Sequence, residues 1–188
     1  AVSSVEYTEK GTRFTRQVFA SPVDQVIVVH LTADKKGAVN FDAGFKTPQQ
    51  VTIETEAGNT LVMRGVNGSD EGIKGALKFQ VRARVLAGGG SVSAASNSVS
   101  VTNADSATIL IALATSYKSY DDVSGDPEKI VKGQIAAAAR KSFDELLAAH
   151  IKEHQRLFRR VSLDLGHSDA MQLPTDERIK NFRNGNDP

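Results

Sequence analysis

The segment HIKEH at residues 150–154 has the strongest potential for chemistry in this sequence, because it fits the pattern H-x-x-E-H. On a helix, His150 and His154 lie one turn apart on one face, where they could hold a zinc ion while Glu153 acts as a base. A catalytic zinc also needs a third protein ligand, and the residues after His154 offer no recognisable arrangement of one. We therefore predict that both histidines pack along the apolar side of the helix.

Adjacent carboxylates at Asp121 and Asp122 are the second candidate. Two carboxylates that flank a glycosidic bond are the catalytic groups of most glycosidases. These two acids lie in a linker that contains Ser, Gly and Pro, with Asp126 and Glu128 nearby. Nothing in the sequence around them indicates a raised pKa, and we interpret them as solvated acids.

Two loop motifs complete the candidates. Asn67 begins the N-glycosylation sequon Asn-Gly-Ser, but Asn-Gly followed by Ser-Asp-Glu-Gly (residues 67–72) is equally typical of a hairpin tip, which is the interpretation we favour. The glycines at residues 88–90 lack the Lys-Ser/Thr pair and the helix of a phosphate-binding loop, so they predict a flexible connection. The sequence thus predicts no catalytic, cofactor-binding or metal-binding residue and no cofactor.

The elements that would position these residues change in type near residue 117. Before that point the chain alternates polar and apolar residues in short runs, with turn signals roughly every 8 to 14 residues, which is typical of an antiparallel β-sandwich. Nine strands are predicted: Ser4–Tyr7, Arg13–Phe19, Gln25–Thr32, Ala38–Asp42, Val51–Thr55, Thr60–Val66, Gly75–Leu86, Val99–Val101 and Ala107–Thr115.

Helices are predicted after this region. Asp126 precedes a Pro and a Glu, which predicts a helix with Asp126 as its N-cap. The helical sequence continues to about Arg159, and Gly133 is expected to bend or split it. Val161–Gly166 alternates and predicts one more strand, and Thr175 is predicted as the N-cap of a last helix. The fold class is therefore mostly β with a helical C-terminal part.

Composition and charge exclude several classes of protein. The 188 residues include 23 Lys and Arg against 22 Asp and Glu, a formal charge of +1, which argues against a nucleic-acid partner. The absence of cysteine excludes disulfides, thiolate nucleophiles and Cys-ligated zinc. No apolar run approaches the roughly 20 residues that cross a bilayer, so no membrane partner is expected.

Several stretches, in the right order along the chain, resemble glycoside hydrolase family 95, whose members are α-L-fucosidases and some α-L-galactosidases. The resemblance lies in Val5–Tyr7 with Gly11, Phe14–Val29, Ser119–Gly166 with its core at Ala148–Leu165, and Leu173–Arg178. Three positions depart from the pattern. His30 stands where many relatives carry Arg, Gln17 where Glu is common, and His154 where an aromatic residue is frequent, which again favours packing over zinc.

The resemblance implies an N-terminal β-sandwich, a helical linker and an (α/α)6 catalytic barrel. The family hydrolyses its substrate with inversion, using a Glu as acid and a water activated by Asn side chains with an Asp partner. No motif of that machinery matches a position here. We therefore expect four segments: residues 1–117 as the later part of the sandwich, 118–160 as the helical linker, 161–173 as strand and loop, and 174–188 as the start of the barrel.

The functional prediction follows from the resemblance. The chain is expected to be the non-catalytic N-terminal portion of an exported bacterial α-L-fucosidase-like enzyme, periplasmic or extracellular, inactive alone, whose full-length form acts on fucosylated oligosaccharides or polysaccharides. The alternative is a free-standing β-sandwich carbohydrate-binding or adhesion module without enzymatic activity. Because the sandwich is expected to be incomplete, its open sheet edges also predict self-association.

Overall fold

The computed structural model describes residues 2–164 and 166–185. Ten strands are followed by three α-helices and a short 3-10 helix within this part of the chain. The strands are β1 Ser3–Glu9, β2 Thr12–Ser21, β3 Val26–Ala33, β4 Val39–Gly44, β5 Val51–Glu56, β6 Thr60–Val66, β7 Lys78–Gly88, β8 Ser91–Ala94, β9 Ser98–Ala104 and β10 Ser106–Thr115. The helices are α1 Pro127–Ala138, α2 Phe143–Phe158 and α3 Thr175–Arg183, and the 3-10 helix is Asp169–Gln172.

The strands form two antiparallel sheets. The large sheet has seven strands in the order β1-β2-β3-β10-β7-β6-β5, and the small sheet has three in the order β4-β9-β8. Strand β10, the last of the described strands in sequence, lies between β3 and β7 at the centre of the large sheet. The predicted fold class, an antiparallel β-sandwich followed by helices, is confirmed.

One core fills the space between the two sheets. It contains side chains from β6, β7 and β10 of the large sheet and from β4 and β9 of the small one. Val85 and Val99 are fully buried there. Because side chains alternate along each strand, the residues between these positions face the opposite side of the large sheet.

A second core lies on that opposite side, where α1 and α2 pack. Val28 and Leu110 from the sheet are buried against Val131 of α1 and Leu146 of α2. The central strands β3 and β10 are therefore covered on both faces, which explains why their sequences are nearly continuous apolar runs. The apolar run at Gln25–Thr32 predicted such a buried strand.

One strand was not predicted. Strand β8 is short and polar, and its sequence predicts a flexible loop, yet its backbone pairs with β9 from Ser91 opposite Thr102 to Ala94 opposite Val99. Backbone pairing requires no apolar side chain, so the hydrophobic pattern carries no signal for β8.

Three predictions in the helical region are wrong. The described residues of Val161–Gly166, which exclude Leu165, form no strand and are exposed. Thr175 is the first residue of α3, whose N-cap is Pro174, and no side chain among the described residues caps the start of that helix. The helical region is interrupted between α1 and α2 at residues 139–142, six residues or more after Gly133, which lies within α1. The N-cap Asp126 is confirmed, since its carboxylate accepts a hydrogen bond from the backbone N–H of Lys129 at 3.0 Å.

The chain divides into two compact units, Ala1–Gln155 and Arg156–Pro188. The first contains both sheets, α1 and most of α2, and the second contains the 3-10 helix and α3. Among the described helices, none is both long and apolar enough to cross a lipid bilayer.

Candidate functional site

The histidines of the HIKEH segment lie on the side of α2 that packs. His150 is only 5% exposed. Its ring stacks on Phe19 of β2 with the centroids 4.8 Å apart, and His154 stacks next to it at 6.1 Å. Over residues 2–164 and 166–185, the structure brings together no group of three His, Asp or Glu side chains that could hold a metal ion. The pair is therefore part of the helix–sheet contact.

The adjacent acids Asp121 and Asp122 lie in a small turn after β10. The hydroxyl of Ser119 donates to Asp121, and the hydroxyl and backbone N–H of Ser124 hydrogen-bond to Asp122. These bonds lower the pKa of Asp122 below its usual range. A glycosidase acid needs a raised pKa, so this carboxylate is tuned in the opposite direction.

Asn67 has a structural role at the start of the loop between β6 and β7. Its side-chain oxygen accepts a hydrogen bond from the backbone N–H of Leu77 at 2.8 Å, and its amide donates to the carbonyl of Gly68 at 3.1 Å. The hairpin tip predicted within residues 67–72 is confirmed. The tip lies at Glu71 and Gly72, which both have the positive φ that a type I′ turn requires.

The glycines at residues 88–90 form the tight connection from β7 to β8. A Cβ on Gly90 would lie 2.3 Å from the carbonyl oxygen of Thr102, and Gly90 itself has a φ of +61°. Only glycine fits this backbone approach. The described geometry is thus a packed turn, whereas the sequence predicts a flexible loop.

A charged cluster on the large sheet is the most elaborate polar arrangement in the described residues. The buried Arg82 of β7 donates its Nη2 to both carboxylate oxygens of Glu56 at 2.7 Å. Arg64 of β6 pairs with Glu54 and with Glu56, the latter at 3.1 Å. We call these four residues, together with Gln80 of β7, the charged cluster.

The charged cluster contacts the first turn of α1 through Glu128. One carboxylate oxygen of Glu128 lies 3.6 Å from Nε of Arg64 and 3.5 Å from the amide nitrogen of Gln80. Its hydrogen bond from Lys132, followed by the positive charge of Arg64, lowers the pKa of Glu128, although desolvation opposes the shift. An acid in the first turn also interacts favourably with the helix dipole. The cluster thus fixes where α1 begins on the sheet.

The sequence contained a signal for the charged cluster that the predictions did not use. Glu54 lies on the predicted strand Val51–Thr55 and Glu56 directly follows it, so the two side chains share a face once the strand extends by one residue, as it does in β5. Arg64 lies on the next predicted strand after a short turn, and antiparallel pairing places Thr52 opposite it and Glu54 opposite Val62. The pairing register that this turn sets therefore places the glutamates and Arg64 close together on one face of the hairpin.

A second contact joins α2 to the sheet. The ring of His30 stacks on Phe143 with the centroids 3.9 Å apart and the planes at 11°, and its Nδ1 lies 2.8 Å from the hydroxyl oxygen of Thr108. Burial lowers the pKa of His30, while the nearby charge of Asp144 acts in the opposite direction. The neutral ring is therefore the form that the contact favours.

These arrangements define a class of protein domain. The carboxylates of the charged cluster are each paired with arginine, and Glu128 is paired with Arg64 and Lys132, so these acids are not placed for acid–base chemistry. The large sheet instead serves as a platform: one face meets the small sheet and the other holds two helices. The described geometry is that of a β-sandwich domain with a helical extension.

Comparison with known families identifies the domain more closely. Residues 1–120 match the glycosyl hydrolase family 65 N-terminal domain, and the chain belongs to this family. Residues 142–188 match the glycosyl hydrolase family 95 catalytic domain. The resemblance to family 95 that the sequence indicates is therefore confirmed, and the chain is related to the N-terminal parts of glycoside hydrolases.

Individual proteins agree with this assignment. Alpha-L-fucosidase 2 of Arabidopsis thaliana is 30% identical, with an alignment that covers all of this chain and 26% of the plant protein. The chain thus spans about a quarter of the length of that relative. A solved structure of a kojibiose phosphorylase-like protein from the human microbiome superposes with a TM-score of 0.52 over 84% of this chain and 23% of that one. Its sequence is 10% identical, so it supports the fold alone.

Proposed function

We propose that this chain is the non-catalytic N-terminal portion of an exported bacterial α-L-fucosidase-like enzyme. The parent enzyme would release terminal α-linked L-fucose with inversion, and residues outside this chain would carry the catalysis. The similarity to an α-L-fucosidase and the match of residues 142–188 to a family 95 catalytic domain support this proposal.

The role proposed for the sandwich is to hold the helices that lead toward the catalytic part. One observation carries this proposal: the helices that follow the family 65 N-terminal region pack against the large sheet of that same region. The charged cluster sets the start of α1. Two ring stacks, His150 on Phe19 and Phe143 on His30, hold α2 against the sheet. A platform of this kind would position a following domain without touching the scissile bond.

Hydrolysis assays on two lengths of protein test the proposal. We expect the 188-residue chain to release no L-fucose from a fucosyl-α-1,2-galactoside, and the longer parent protein to release it. The anomer formed first, followed by NMR, reports inversion or retention. Hydrolysis by the 188-residue chain, or a parent protein that leaves the fucoside intact, would contradict the proposal.

The proposed export and self-association need separate support. Export to the periplasm or the extracellular space would suit an enzyme acting on polymeric glycans, and fractionation of cells that produce the parent protein tests it. Strand β1 is one of the two edge strands of the large sheet, opposite β5, and all seven of its residues are exposed. A second chain could add a strand there. Sedimentation that shows only monomers at high concentration would contradict self-association.

A further inference from the structure

A small cleft lies between the β1–β2–β3 end of the large sheet and strand β4 of the small sheet. Its volume is about 220 Å³. This is smaller than the roughly 300–1,000 Å³ of sites for drug-sized ligands and suits a single sugar ring. The cleft is distant in the fold from the charged cluster and from the helices, which contact the other face of the large sheet.

Aromatic and aliphatic side chains form the walls of the cleft. Tyr7 of β1 and Phe14 of β2 lie opposite each other across the strand pair, and their rings stack with centroids 5.2 Å apart and planes at 18°. Phe41 of β4 lines the cleft as well, next to the buried Val39. Tyr7 is 48% exposed, so part of its side chain is accessible to a ligand. The electron-rich face of an aromatic ring favours contact with the partly positive C–H groups of a sugar.

Arg16 supplies the charge of the cleft. It lies two residues from Phe14 on β2, and therefore on the same face of the sheet, opposite Val5 of β1 and Leu31 of β3. Among the described residues, no carboxylate lies within ion-pair distance of its guanidinium. Arg64 and Arg82 are committed to ion pairs in the charged cluster, whereas Arg16 is the charged residue that lines this cleft.

Asn40, another polar residue that lines the cleft, is committed to the fold. Asn40 donates to the carbonyl of Ala38 at 3.0 Å, and its oxygen accepts from the backbone N–H of Asn103 at 2.9 Å. The guanidinium of Arg16 is the charged group in the lining and can therefore select a ligand by charge. A planar guanidinium matches a carboxylate in two parallel hydrogen bonds.

We infer that this cleft binds a sugar residue that carries a carboxylate, as a uronic acid does. The apolar face of the ring stacks on Tyr7 and Phe14, and the carboxylate pairs with Arg16. The choice of a sugar rests on the proposed function, whereas the choice of an acidic one rests on Arg16. The cleft would then hold an acidic unit of a branched glycan while the catalytic part of the parent enzyme acts elsewhere on the same molecule.

Titration of the 188-residue chain with two matched sugars, followed by amide chemical shifts, tests this inference. Methyl β-D-glucuronide carries a carboxylate where methyl β-D-glucoside carries a hydroxymethyl group, and the two sugars are otherwise identical. We expect saturable shifts in β1, β2 and β4 with the glucuronide and at least tenfold weaker binding of the glucoside. Arg16→Gln should weaken glucuronide binding about tenfold, equivalent to about 1.4 kcal/mol, and leave the glucoside unaffected.

Two control variants separate binding from folding. Arg13→Gln removes an exposed arginine from the opposite face of β2 and should leave both titrations unchanged. Tyr7→Ala should weaken both sugars, whereas Tyr120→Ala, at a side chain that is 93% exposed, should weaken neither. Thermal unfolding of each variant shows whether it is folded.

Three outcomes would overturn the inference: equal affinity for the two sugars, no saturable binding of the glucuronide, or shifts reproduced in full by acetate. Binding of acetate alone would identify a simple anion contact. None of these outcomes bears on L-fucose release by the parent protein. Failure of the cleft and failure of the proposed function are therefore measured separately.

Discussion

The helix-covered face of the large sheet has two halves that differ in chemistry. On β2, β3 and β10 it is apolar, with Phe19, Val28 and Leu110 buried against the helices. On β5, β6 and β7 it carries the charged cluster, including the buried Arg82. Helix α1 spans both halves: its first turn meets the charged cluster through Glu128, and its later turns are buried in the apolar half.

The apolar half and the charged half contribute differently to the contact between the large sheet and the helices. Burying one large apolar side chain contributes about 1.5–3 kcal/mol and has no preferred direction. Ion pairs that remain partly exposed contribute about 0–1 kcal/mol, but each requires a particular geometry. The apolar half therefore supplies most of the free energy that holds the helices, and the charged half defines where α1 starts.

The largest expected effect comes from the apolar half. Leu110→Ala removes a fully buried side chain beneath both helices and should lower the free energy of unfolding by about 2–5 kcal/mol in urea titrations. Leu113→Ala on the same strand, at a side chain that is 59% exposed, is the matched control and should change it by less than about 0.5 kcal/mol. Equal losses for the two variants would show that the apolar half does not hold the helices.

An intermediate effect is expected in the charged half. Glu56→Gln leaves Arg82, whose side chain is 7% exposed, without its carboxylate and should cost about 1–3 kcal/mol, less than a fully buried pair because Glu56 is partly exposed. Asp176→Asn breaks a pair with Lys180 in which both side chains are 72% exposed, and should cost less than about 0.5 kcal/mol. If Glu56→Gln is as mild as this control, the cluster is only a surface feature.

The smallest effect is a pH dependence at the boundary of the apolar half. Because burial lowers the pKa of His30, the unfolded chain binds a proton first as the pH falls through the ordinary value of 6.5. As the pH falls from about 7.5 to 5.5, the free energy of unfolding should therefore decrease. The contribution of neutral His30 to stability is retained above its ordinary pKa. His30→Phe, which keeps a ring for Phe143, should remove this part of the slope.

The exposed His167 provides the control for that measurement. His167→Gln also removes one imidazole and should leave the slope unchanged. A slope that persists in His30→Phe, or disappears in His167→Gln, would assign the pH dependence to another group.

The sequence predicts the strands better than it predicts what packs on them. The pattern of polar and apolar residues predicts nine of the ten described strands, because the order of apolar residues indicates which face of each strand is buried. It also predicted that His150 packs, but it could not name Phe19, which lies more than a hundred residues away. Partners so distant in sequence are set by the fold of the whole sheet.

The cleft near Tyr7 shows the same limit. A count of aromatic residues predicts few sugar-binding surfaces, because the chain has no Trp and only three Tyr. The cleft arises because the pairing of β1 with β2 places Tyr7 beside Phe14, and because β4 belongs to the other sheet. Its third ring, Phe41, is brought close only when both sheets have formed.

The position of β10 at the centre of the large sheet also affects the order in which strands can pair during synthesis. Strand β3 pairs with β10 from Ile27 opposite Ile111 to Thr32 opposite Ser106, so its partner emerges from the ribosome long after β3 itself. Until then the apolar β3 has an open inner edge. Closing such a long loop slows folding into the millisecond-to-second range of all-β domains. During synthesis, the first three strands must wait for the tenth before the inner edge of β3 is paired.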